Sequence, residues 1–255
     1  MCSKNLKIQI LDDVAAMSKA AAEKIVAHIS ESLQTGHRYS IALSGGSTPE
    51  RLYALLADDA ELREQIPWER VHFFWGDERH VPPSHPESNY LMAYNALLSK
   101  APIPSTNIYR IRAEEPIAAK AARYYEQEIQ KFFKIKAGEL PRFNCVLLGM
   151  GPDGHIASLF PGTPGLQETN RLVTANWVEK FESYRITLTA PLLNNADRIL
   201  LLVGGKEKAD ILKAVLENDA NTIRFPVQLI QPTHGEMTWF LDQSAASRLA
   251  LFKKK

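Results

Sequence analysis

Apolar positions in this chain follow two rhythms that take turns from one end to the other. Leu6, Ile8 and Ile10 recur at every second residue and predict a strand over Leu6–Leu11. Val14, Met17, Ala21, Ile25, Ile29 and Leu33 follow at helical spacing, with Asp12 or Asp13 placed to cap the helix and Gly36 to close it as a C′ residue. Tyr39–Leu43 reads as a second strand and Val71–Trp75 as a third, continuously apolar as in a parallel sheet buried on both faces. Helical patterns return from Leu52, over 88–98 and over 116–133. The run 145–148 and the run Arg198–Val203 predict further buried strands, and a helix is expected over 207–216. Shorter strands are expected at 107–111, 172–175, 185–188, 225–230 and 237–241, with a turn of helix at 191–196 and a closing helix over 243–249.

Strands alternate with helices, and no linker, repeat or low-complexity tract interrupts them. The expectation is one α/β domain over 1–255, with a mostly parallel, Rossmann-like sheet covered by helices on both faces. The pattern leaves open whether the stretch around 120–190 forms a small lobe over the sheet edge.

Composition narrows the function. Lys and Arg number 30 against 29 Asp and Glu, a net charge of +1, which gives no electrostatic footprint for nucleic acid and no basic face for a membrane. Lys253, Lys254 and Lys255 read as a solvated terminus. Cys2 and Cys145 are too few for a disulfide framework or a zinc site, and Cys145 reads as a small core residue. Residues 1–9 lack the apolar core of a signal peptide, and no run approaches the ~18 apolar residues of a membrane span. A reducing, cytoplasmic setting is expected.

The candidate chemistry gathers where strands end. After Tyr39–Leu43 comes Ser44-Gly45-Gly46-Ser47-Thr48-Pro49, then a helix; Pro49 suits its first turn and Ser47 or Thr48 its cap. Free backbone N–H groups and the positive end of the helix dipole then face the space above Gly45 and Gly46, which suits a phosphate. The loop is neither a Walker loop nor a dinucleotide fingerprint. After Val71–Trp75, Gly76-Asp77-Glu78-Arg79-His80-Val81-Pro82-Pro83 is expected as a stiff charged loop. Its Arg79 offers a fixed fork of donors to a phosphate or a developing oxyanion, while Asp77 and Glu78 orient loops and partner it. His72 is expected in the core, and His80 and His85 receive no chemical role. After 145–148, the glycines 149, 151 and 154 carry two titratable groups, Asp153 and His155. Such a loop either solvates its histidine or presents it to a ligand beyond the strand end, and the second reading makes His155 the reacting base. After Arg198–Val203, Gly204-Gly205-Lys206 repeats the strand, glycine and helix order, with Lys206 placed to reach a phosphate or else solvated.

These stretches together resemble a family. Leu-Ser-Gly-Gly-Ser-Thr-Pro, Trp-Gly-Asp-Glu-Arg-His-Val-Pro and Gly-Met-Gly-Pro-Asp-Gly-His-Ile-Ala-Ser-Leu-Phe-Pro-Gly, in this order and at these separations, are similar to those of the 6-phosphogluconolactonases. Arg185-Ile-Thr-Leu-Thr-Ala-Pro and Gly205-Lys206-Glu-Lys-Ala extend the likeness over nearly the whole chain. The wider superfamily includes the glucosamine-6-phosphate deaminases, which carry Asp-Glu-Tyr where this chain has Asp77-Glu78-Arg79 and Phe-Asn-Glu-Pro-Gly where it has 158–162. No charged position departs from the lactonase pattern.

The resemblance implies hydrolysis of 6-phospho-D-glucono-1,5-lactone to 6-phosphogluconate in the oxidative pentose phosphate pathway. It implies no nucleotide and no required metal, and a small phosphosugar lactone as partner; no obligate protein partner is evident, and composition has already argued against nucleic acid and membrane. An imidazole titrates near ~6.5 in its free form, which suits a general base at neutral pH. On that reading His155 activates water, and Asp153 holds the imidazole or its loop. Arg79 stabilises the oxyanion or holds the phosphate, with Gly45, Gly46, Ser47, Thr48, Arg185 and Lys206 as the remaining phosphate contacts. Two alternatives stay open: an aminosugar-phosphate isomerase/deaminase, and a non-catalytic phosphosugar-sensing domain.

Overall fold

The computed structural model describes residues 6–250; Cys2 and the Lys253–Lys255 tip (253–255) lie outside them, as do the first five residues of the 1–9 stretch. Among the described residues the strands are β1 (Leu6–Leu11), β2 (Tyr39–Leu43), β3 (Val71–Trp75), β4 (Asp77–Arg79), β5 (Cys145–Gly149), β6 (Val173–Val178), β7 (Ser183–Leu188), β8 (Arg198–Val203) and β9 (Glu236–Asp242). The α-helices are α1 (Val14–Thr35), α2 (Ser47–Asp58), α3 (Ala60–Glu64), α4 (Asn89–Ala93), α5 (Ala118–Phe133), α6 (Ala190–Asn194), α7 (Ala209–Glu217) and α8 (Gln243–Ala246).

Six strands form a parallel sheet in the order β1-β9-β8-β5-β2-β3. Every residue of β2 is buried, as are the first four of β5 and the last five of β8, so the centre of the sheet is covered on both faces. The α/β expectation from the apolar runs therefore holds. From the central pair β5–β2 the chain leads one way to β3 and the other way to β8 and β9. Strand order reverses there, and open α/β sheets bind ligands beyond the carboxyl ends of strands at such a point.

A second sheet, β4-β7-β6, is antiparallel and packs against α5. The lobe left open by the sequence thus exists, but it also recruits Asp77–Arg79, expected as loop. Glu78 binds four donors there: the N–H groups of Arg79, Asn89 and Tyr90 and the Ser88 hydroxyl. Burial raises its pKa, against the pull of those backbone N–H groups. Glu78 therefore satisfies the open start of α4, which passes at Tyr94 into a π-helical turn ending at Leu98.

Two expected strands do not form. At 107–111 the Asn107 carboxamide donates to the carbonyls of Glu69 and Val71, occupying acceptors on the sheet edge, and Ile108 makes only a single bridge to Phe73. At 225–230 Pro226 opens a 3₁₀ turn (Pro226–Leu229), and the Val227 N–H goes to the Gly154 carbonyl at 2.9 Å rather than to a strand. The cap of α1 is Asp13, whose carboxylate accepts from Ala16 N–H. Gly36 ends that helix in extended rather than left-handed backbone, as its C-cap, with its N–H on the Ser32 carbonyl. Cys145 lies in the core, where burial pushes its thiol up to about 12, partly countered by a hydrogen bond with Tyr39.

Candidate active site

A pocket of about 450 Å³ opens at the reversal point, walled by the ends of β2, β5 and β8 and by β4 and β7. Two buried tyrosines fix the strand ends beneath it. The Tyr53 hydroxyl accepts from the Ser44 N–H and donates to the Ser44 carbonyl, both at 2.8 Å. Tyr125 does the same for Trp75, at 2.7 and 3.1 Å. Each phenol satisfies the main-chain groups of a residue leaving the sheet, so the loops start from rigid points.

Gly45, Gly46, Ser47 and Thr48 all line the pocket. The cap of α2 is Gly46, not Ser47 or Thr48: the turn needs φ of +105° there, which glycine tolerates. No side chain caps the helix, so the first N–H groups of α2 and two hydroxyls are available to an anion.

Asp153 and His155 stand in the loop after β5. His155 Nδ1 lies 2.5 Å from Asp153 Oδ1, the direct contact that the spacing alone left undecided. Burial opposes the Asp153 charge, yet the hydrogen bond and charge of His155, with backbone N–H groups, hold its pKa down at about 2. An ionised carboxylate only accepts, so Nδ1 is the donor in this pair, and in the neutral imidazole the lone pair falls on Nε2. Gly151 makes this pairing sterically feasible, since a Cβ on it would fall 2.0 Å from the His155 ring. Beyond the pair, Ala157 turns through left-handed backbone at φ +47°. Ser158 then donates to buried Asp77 at 2.5 Å.

Arg79 and Arg185 complete the opposite wall. They pair directly across β4 and β7. Arg79 donates to the Glu87 carbonyl, and Arg185 to Ser183 Oγ at 2.7 Å. Burial, then the neighbouring Arg79 charge, lowers the Arg185 pKa. Like charges held opposite one another cost stability, a cost that an anion placed between them would relieve. Glu78 is turned away from this wall toward α4, whereas Asp77 lines it beside Asn89.

Lys206 is not part of the pocket. Gly205 caps a 3₁₀ turn, Lys206–Lys208, that leaves Lys206 exposed and brings Lys208 inward. Burial lowers the Lys208 pKa, against the nearby Glu207 and Asp153 carboxylates. Sequence reasoning also passed over Phe160, Phe181 and Asn89 as pocket residues; Phe160 stood within a quoted motif, the other two carried no local signal. His72 packs among Phe132 and Tyr109, and His80 bonds the Glu115 carbonyl, so neither reaches the pocket. Among the described residues no cluster of His, Cys, Asp and Glu could hold a metal, and no helix is long and apolar enough to cross a membrane.

The fold and pocket define an α/β protein with an open pocket, lined by Arg79, Arg185 and Lys208, at its strand-order reversal. The chain belongs to the family described as glucosamine-6-phosphate isomerases/6-phosphogluconolactonase, whose model matches residues 12–239. It is 39% identical to a 6-phosphogluconolactonase of Nostoc sp. over 96% of this chain and 98% of that one. It is 40% identical to one from Haemophilus influenzae over 90% and 95%. The solved 6-phosphogluconolactonase of Trypanosoma cruzi superposes with a TM-score of 0.84 at 34% identity, covering 98% of each chain.

Proposed function

We propose that this protein hydrolyses 6-phospho-D-glucono-1,5-lactone to 6-phosphogluconate, the lactonase step of the oxidative pentose phosphate pathway. The observation that carries the reading is the pairing of His155 with an ionised Asp153 in a pocket whose far wall is Arg79 and Arg185. The names of its relatives support the same substrate.

The phosphate sits at the open start of α2, against Gly45, Gly46, Ser47 and Thr48, with Lys208 as a further cation. A remote dianion held there supplies binding energy that sets the lactone ring over His155. Water forms its bond to the lactone carbonyl carbon while His155 Nε2 takes its proton, and the electron pair moves onto the carbonyl oxygen. Arg79, assisted by Arg185, stabilises that oxyanion; one such donor is worth on the order of 10²–10³ in rate. When the intermediate collapses, the bond from this carbon to the ring oxygen breaks. The imidazolium returns its proton to that oxygen, freeing a hydroxyl and a carboxylic acid, which loses its remaining proton to solvent to become the carboxylate. Asp153 keeps the imidazole in the tautomer this cycle needs, and Asp77 orders the wall through Ser158 and Asn89. The cycle calls for no cofactor, its partner is the small phosphosugar, and a cytoplasmic setting suits it.

Freshly generated lactone, followed by acid release against the spontaneous rate, tests the proposal. Hydrolysis well above background, lost in His155→Ala, is expected. Background hydrolysis together with ammonia release from glucosamine 6-phosphate would overturn it in favour of the deaminase.

A further inference from the structure

Polar contacts alone do not hold His155 and Arg185. The His155 ring stacks on Phe160 with centroids 4.1 Å apart and 28° between planes. Phe160 meets Phe181 edge-on at 5.7 Å and 75°. The Arg185 guanidinium lies over Phe181, Cζ 5.0 Å from the centroid. A continuous run of contacts thus joins one wall of the pocket to the other. Phe181, at the turn between β6 and β7, is 44% exposed yet lines the pocket. The same turn is tied to the base loop, with Lys180 Nζ 3.8 Å from Asp153 Oδ2.

One hydrogen bond to Asp153 fixes the direction of Nδ1 but leaves the imidazole free to rotate about that axis. A ring stacked on its face removes the rotation. Arg185 is bonded through one end of its fork to Ser183, and an aromatic face beneath the guanidinium sets the plane of the rest. Reacting groups must keep their aim within roughly 10–20° to be useful.

Resting on the lactonase reading, we propose that Phe160 and Phe181 are positioning residues that form an aromatic ledge. Phe160 fixes the plane of the His155 imidazole, and Phe181 fixes the aim of the Arg185 guanidinium. The ledge acts on the reacting end of the substrate, so its loss falls on kcat rather than on phosphate-driven binding.

Phe181→Leu keeps an apolar side chain at a half-exposed position but removes the ring face. It is expected to lower kcat about tenfold with KM within about threefold, and Phe181→Tyr is expected to stay near wild type. Phe160→Leu is expected to lower kcat about 10- to 100-fold. In the free protein it should also move the His155 ring-proton NMR signals downfield, as shielding by the stacked ring is lost. Leucine variants that keep kcat within twofold, or a Phe181→Tyr that falls as far as Phe181→Leu, would overturn the ledge. A wild-type protein with no hydrolysis above background would sink the lactonase reading instead. The His155 signals would then still decide the ledge: an unmoved resonance in Phe160→Leu overturns it, and a downfield shift supports the stacking on which it rests.

Discussion

Arg79 and Arg185 face each other across the antiparallel pair β4–β7, two like charges in direct register at the pocket wall. Such a pair is unfavourable in the empty protein and becomes favourable once an anion neutralises it. Arg185→Gln is therefore expected to leave unfolding free energy unchanged or raised by about 0.2–1 kcal/mol, with solvent screening favouring the low end. The same change should lower kcat/KM about 10²-fold. Urea denaturation and steady-state kinetics on one preparation check both. Added 6-phosphogluconate should raise the wild-type melting temperature and raise that of the variant less.

Asp153→Asn keeps the shape beside His155 but offers a donor where an acceptor stood. The imidazole then turns its proton toward the pocket, and kcat is expected to fall about 10²- to 10⁴-fold. The carboxylate pKa of about 2 lies below that of an unfolded aspartate, so its stabilising contribution is complete above roughly pH 4 and fades as pH falls through about 2. The stability gap between wild type and Asp153→Asn should stay constant near neutrality and close in that acid window. Urea midpoints measured across pH would show a gap of another shape if the pair is broken in solution.

The two lysines after β8 separate cleanly. Lys208→Ala should raise KM about tenfold or more, because it removes an inward charge used in uniform binding. Lys206→Ala should leave KM within about twofold of wild type, as expected of an exposed surface charge. A reversed ranking would mean that the Gly205 turn is wound differently.

Gly151→Ala tests the contact that lets the base loop close. The added methyl would meet the His155 ring 2.0 Å away, so the side chain, rather than backbone, is what must give way. Stability should change little, while kcat drops about 10²-fold from a displacement near 1 Å. A crystal structure of the variant would show the imidazole moved from Asp153.

The apolar runs made the parallel sheet legible, because buried strands announce themselves by composition and their glycine-rich ends by contrast. That brought Gly45 to Thr48, Asp153 and His155 to one rim without coordinates. The Asp77–Arg79 strand was hidden: three charged residues show no alternation, and their partner Ser183–Leu188 lies about a hundred positions on. Its consequence, the Arg79–Arg185 register, lies in no local pattern. Lys206 and Lys208 differ by the winding of one turn, which a positive φ at Gly205 sets. The strands expected at 107–111 and 225–230 failed because a side chain and a proline took over the backbone partners that a ladder needs.

Strand β5 lies between β2, which precedes it, and β8, which comes about fifty residues later in the chain. During synthesis the ribosome therefore delivers the base loop well before the second flank of its strand. A nascent polypeptide halted ahead of Arg198 would hold His155, Arg79 and Arg185 without β8 beside the base loop. Catalytic competence should then arrive late and all at once, with no truncated precursor able to turn over substrate.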